Sequence, residues 1–139
     1  MTGQGNFWKK FQELMGYSDE EMERFKADPK KTKTLTELRK ARKRKIIAEV
    51  IKSHGCASGH KVGDKFVISV LTGCLISEEC PRYMCIHALQ PLAICTVVVQ
   101  DRIVAGLDPN EMVFDTWSCS DSGFDCGGWG QISLKVYVV

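Results

Sequence analysis

No Cys-x-x-Cys pair occurs among the seven cysteines of this chain. That absence takes the sequence well away from a zinc ribbon, whose ligands come in such pairs. No apolar run suits a membrane span either. The longest, from Tyr83 to Val99, is broken by His87, Gln90 and Pro91. The opening residues hold no apolar stretch of signal-peptide type, so a cytoplasmic protein with no membrane association is the expectation. An odd number of cysteines in a reducing compartment argues against a disulfide framework. Metal binding, redox work and buried thiols remain.

What is present is an ordinary globular composition, 44% hydrophobic with 26% charged, which excludes disorder throughout. The charge is uneven. Lys30, Lys31, Lys33, Arg39, Lys40, Arg42, Lys43, Arg44 and Lys45 face Glu37 alone, while the flanking segments are mildly acidic. An anionic partner such as nucleic acid is the functional reading of residues 30–45. A solvated connector is favoured over it, because no aromatic residues interleave with the charges.

Residues 6–27 read as two short helices. Phe7, Trp8, Phe11, Leu14 and Met15 recur at helical spacing, Gly16 is a stop, and Ser18 to Glu21 has capping-box form. Met22 and Phe25 continue an apolar stripe to Asp28-Pro29, and such stripes are usually packing faces, against the domain or a second subunit. Leu35, Leu38 and Ala41 suggest a third, basic helix. Two antiparallel strands follow, over Lys45–Ser53 and Lys65–Leu71, with a turn at Thr72-Gly73. Cys80-Pro81 fits a helix start. Tyr83 to Gly106 is apolar nearly all round, which predicts a buried central helix that Pro91 kinks or splits, freeing the carbonyl of His87. Met112–Cys119 and Gln131–Val139 read as closing strands, with Ile132, Leu134, Val136 and Val138 alternating against polar neighbours. The fold class is therefore α+β. A mostly antiparallel four-stranded sheet packs on one long Pro-containing helix in residues 45–139, behind a helical extension over residues 1–44.

Two glycine-rich segments hold the candidate chemistry: Gly55 to Asp64, and Asp121 to Gly130. If the topology brings them to the start of the long helix, Cys56, His60, Cys80, Cys85, Cys119 and Cys126 gather at one end of the domain. Such a Cys/His set suits zinc or an iron–sulfur cluster. A second reading makes Cys56 a nucleophile, with Lys61 and His60 lowering its pKa, glycine amides stabilising an oxyanion and Asp64 orienting the imidazole. Asp64 also fits a plain turn before a strand, and His60 a turn residue bonded to backbone. Lys61, Gly127 and Gly128 stand as candidate cofactor-binding positions. Cys74 and Cys95 read as buried small hydrophobes, His87 as a satisfied core histidine, and His54 as solvent-facing.

Cys56-Ala57-Ser58-Gly59-His60-Lys61-Val62-Gly63-Asp64, Cys80-Pro81, His87-Ala88-Leu89-Gln90-Pro91 and Cys119 together resemble a family of small uncharacterised proteins of anaerobic bacteria and archaea, over residues 45–139. Either Cys80 or Cys85 corresponds to the family's second cysteine. The extension 1–44 and Cys126 are departures from its pattern. The resemblance implies an anaerobic setting, which favours an oxygen-sensitive cluster or redox thiol. The leading expectation is thus a small metal- or iron–sulfur-binding protein, an accessory or small subunit of an anaerobic enzyme, with a protein partner or a second copy of itself. A thiol-dependent enzyme acting on an electrophilic or acyl substrate is the alternative. An interaction module using residues 30–45 is the third.

Overall fold

The computed structural model describes residues 2–139, which divide into two compact units between Thr36 and Glu37. Leu38 and Ala41 belong to the core of the second unit, so this border lies earlier than the one read at residues 44 and 45.

The first unit contains α1 (Thr2–Met15), α2 (Asp19–Ala27) and most of α3 (Pro29–Lys40). Gly16, at φ +67°, stops α1 in a conformation that a side chain would strain. Ser18 Oγ accepts the Glu21 N–H at 3.1 Å, and the Glu21 carboxylate accepts the Ser18 N–H at 2.8 Å. This reciprocal box satisfies two donors that a helix start otherwise leaves unpaired. Asp28 Oδ1 takes the Lys30 N–H at 2.9 Å and so starts α3, with Pro29 at the first turn where its missing donor costs nothing. The expected apolar stripe packs on itself: the ring centroids of Phe11 and Phe25 are 5.1 Å apart, and those of Tyr17 and Phe25 are 6.2 Å apart.

The second unit is the α+β domain. Its strands are β1 (Lys45–His54), β2 (Lys65–Ser69), β3 (Thr116–Ser118) and β4 (Gln131–Val138), and its long helix is α4 (Ile86–Val104). The sheet order is β2-β1-β4-β3, antiparallel throughout. Register sets Ile46 opposite Ile68 and Val138, and Ala48 opposite Phe66 and Val136. One sheet face is therefore continuously apolar, and Ala88, Leu92, Cys95 and Val99 of α4 close over it. Each such Ile, Val or Leu contributes about 1.5–3 kcal/mol when fully buried.

Several details differ from the sequence reading. Cys80-Pro81 does not open the helix. Proline forces the residue before it into extended backbone, and Cys80 sits at φ −98°, ψ 165° alongside β2. Its Sγ accepts the Val67 N–H at 3.2 Å, and Ile76 N–H donates to the Val67 carbonyl at 2.8 Å. The segment from Cys74 to Cys80 thus covers an edge strand that would otherwise expose its ladder groups. The helix begins after Cys85 and runs unbroken through Pro91. It is buried on one side only, with Ile86, Ile94 and Val97 exposed. Cys95 is buried as expected, whereas Cys74, at a turn, is exposed. The Met112–Cys119 strand shrinks to three residues. Asn110 delays its start by bracketing Val138, whose N–H and carbonyl pair with its side-chain amide at 2.7 and 2.9 Å. No helix among the described residues is long and apolar enough to cross a membrane.

Candidate functional site

The Gly55–Asp64 loop leaves β1 just after a register shift between Val50 and Lys52, a bulge that bends the strand end. It returns to the same strand, where Gly63 N–H donates to Val50 O at 2.9 Å and Val50 N–H to Asp64 O at 2.8 Å. Its fixed point is His60, which is 4% exposed. The His60 carbonyl accepts the Ser53 hydroxyl at 2.7 Å, and the ring stands edge-on to Phe66. Nε2 accepts the Cys85 N–H at 3.3 Å. An accepting Nε2 requires the neutral tautomer with its proton on Nδ1. Nδ1 faces Asp64 Oδ2 at 3.8 Å, too far for a hydrogen bond. Asp64 Oδ2 instead accepts the Lys61 N–H at 3.0 Å. Asp64 therefore holds the turn, and His60 positions the backbone of Cys85.

Cys85 is the N-cap residue of α4. The first amides of a helix lack internal partners and carry its positive end. Its thiol is held below the ordinary cysteine range by neighbouring donors, the Ser58 hydroxyl foremost and the amides of Ala88 and His87 after it, although the sulfur closes no cap hydrogen bond of its own. Partial burial and the charge of Asp121 push the other way. Cys95 shows the contrast: buried within the same helix, its thiol is pushed up to about 11.

The second glycine-rich segment folds around Asp121. Its Oδ1 accepts N–H groups from Gly123 at 2.8 Å and Trp129 at 3.2 Å. The Gly123 amide foremost, opposed by desolvation and helped by Trp129, Gly130 and His87, holds this carboxyl below its usual value. A Cβ on Gly128 would collide with that carboxylate, and one on Gly130 would collide with His54 O and the Gly55 backbone. Gly55, at φ +64°, would place a Cβ 2.6 Å from Trp129 O. The two loops meet backbone to backbone because neither carries a side chain at the crossing.

The result is a cavity of about 230 Å³ lined by Cys56, Ala57, Ser58, His60, Cys85, His87, Ala88, Cys119, Asp121, Trp129, Gly130 and Ile132. Cys119 Sγ accepts the Ile132 N–H at 3.4 Å. Four of the six expected ligands thus come together: Cys56, His60, Cys85 and Cys119. Cys80 lies on β2. Cys126 is exposed and borders a separate depression with Lys52 and His54. Lys61, Gly127 and Gly128 do not line the cavity. No three His, Cys, Asp or Glu side chains among the described residues are grouped so as to hold a metal ion.

The chain matches no family model, no curated protein and no solved structure.

Ser58, Ser120, Asp121 and Trp129 were not legible as site residues, and His87 was misplaced. It is exposed rather than in the core, its Nδ1 2.7 Å from Ser120 Oγ. The one available signal was Pro91, whose missing donor frees the His87 carbonyl. Ser120 N–H takes that carbonyl at 3.1 Å.

Proposed function

We propose that the cavity is a thiolate site in which Cys85 acts as nucleophile toward a small electrophilic or acyl substrate. The observation that carries this reading is the position of Cys85, at the N-terminus of a 19-residue helix and lining a partly open pocket beside Ser58. Thiolates are favoured at such positions, and the thiolate is the reactive form. The nucleophile is thus Cys85 rather than Cys56, with His60 as a positioning residue. The volume falls below the roughly 300–1,000 Å³ of drug-sized ligand sites, which suits a small substrate. Free thiols persist in a reducing compartment, so a cytoplasmic setting belongs to the proposal. Competitive labelling with limiting iodoacetamide at neutral pH, followed by peptide mass spectrometry, tests it. Cys85 is expected to label ahead of the exposed Cys74 and Cys126. Labelling no faster than theirs would remove the support.

One observation favours a second reading. Three thiols, Cys56, Cys85 and Cys119, line the same cavity; thiolates are the donor type that suits zinc or an iron–sulfur cluster, although as placed the three are not grouped closely enough to hold one. The resemblance to proteins of anaerobes points the same way, toward an accessory or small subunit. Protein purified without oxygen is then expected to carry stoichiometric iron or zinc. Metal-free protein that is fully folded would set this reading aside.

A further inference from the structure

We infer that the outward face of α4 is the interface of a two-fold symmetric dimer of this chain. Ile86, Gln90, Ala93, Ile94, Val97 and Asp101 fall within an arc of about 100° at helical spacing. Ile86, Ile94 and Val97 are 73%, 57% and 63% exposed. A helix that carries its apolar residues on the solvent side as well as the core side has a second surface to cover. Along one flank of this stripe runs a groove of about 370 Å³ bordered by Leu75, Leu89, Ala93 and Val97. Small Ala93 beside branched Ile94 gives the ridge and the recess that helix packing needs.

The occupant is a second copy because the stripe complements itself. It carries no charge from Ile86 to Val97 and ends in one acid, the exposed Asp101. Two such helices, antiparallel about an axis at Ala93 and Ile94, set Gln90 against Val97 and Ile86 against Asp101. Each Asp101 carboxylate then faces the positive N-terminal end of the other copy's α4, where an anion is favoured. The parallel arrangement would put the two acids together.

Sedimentation velocity on the full chain over a concentration series tests this, with circular dichroism to check folding. The expected result is a species of twice the chain mass. Ile94→Lys should convert it to monomer, and Val97→Glu serves the same purpose if that variant does not fold. Asp101→Lys should raise the dissociation constant several-fold, whereas Val113→Lys, at an exposed site off this helix, should leave it unchanged. A monomer at every concentration overturns the proposal. So does a dimer that survives both stripe substitutions, since it assembles through another surface. A dimer indifferent to Asp101→Lys overturns the antiparallel arrangement.

Discussion

His87 and Ser120 are joined twice: Ser120 N–H donates to the His87 carbonyl at 3.1 Å, and the serine hydroxyl lies 2.7 Å from His87 Nδ1. The first bond exists because Pro91, four residues on, has no N–H to offer that carbonyl. One proline in α4 thereby ties the Cys119–Asp121 segment, and the cavity wall it forms, to the start of the helix.

Restoring the helical donor should loosen that tie. In Pro91→Ala the new N–H competes for the His87 carbonyl, and Ser120 should exchange its amide hydrogen faster. The expected increase is roughly two- to tenfold, which is what a net hydrogen bond of about 0.5–1.5 kcal/mol implies. Hydrogen exchange resolved at Ser120 reads it. An unchanged or slower rate would mean the proline does not act through this carbonyl.

The loop crossing at Gly55 and Gly130 makes a steric prediction. Gly130→Ala places a methyl group on His54 O and the Gly55 backbone, so the two loops must part. A loss of roughly 2 kcal/mol or more is expected from forced backbone displacement, measured by urea denaturation. A loss under about 0.5 kcal/mol, the size of an ordinary surface change, would show that the loops do not meet so closely.

Asp121 predicts an acid-sensitive turn. Its folded pKa lies below the ordinary 3.8, so its contribution is fully present above that value and is lost as pH falls through the lowered one. Asp121→Asn should speed exchange at Gly123 and Trp129 at neutral pH, where the wild-type carboxylate holds both amides. Protection that is the same in the variant would remove Asp121 from its place at the centre of the turn.

Legibility followed periodicity. Ile132, Leu134, Val136 and Val138 alternate strictly, and all four are buried, because a strand between two neighbours with one covered face has little choice of register. The Ser18–Glu21 box could be read for a similar reason: its chemistry lies within one turn of sequence. The carbonyl freed by Pro91 was foreseeable, but its partner Ser120 was not, since that contact spans 33 residues. Cys80 was misread as a helix start because Pro81 suits a helix's first turn and an extended edge segment equally well. Cys85 was legible as a candidate ligand but not as a helix cap. Nothing nearby in sequence marks it as a cap, and its Ser58 and His60 contacts come from a loop on the far side of a strand. The Gly55–Asp64 motif announced chemistry, yet its histidine turned out to hold another residue's backbone.

The pH dependence of Cys85 alkylation tests the central claim most directly. Iodoacetamide labelling of Cys85, resolved by peptide mass spectrometry between neutral and alkaline pH, should reach half its maximum rate below the ordinary thiol value of 9.0. The thiolate's stabilisation is present above that ordinary value and is lost as pH falls through the lowered one. Ser58→Ala removes the largest lowering influence, so its midpoint should move up toward 9.0 and its rate at neutral pH should fall several-fold. A wild-type midpoint at or above 9.0, unmoved by Ser58→Ala, would contradict the account.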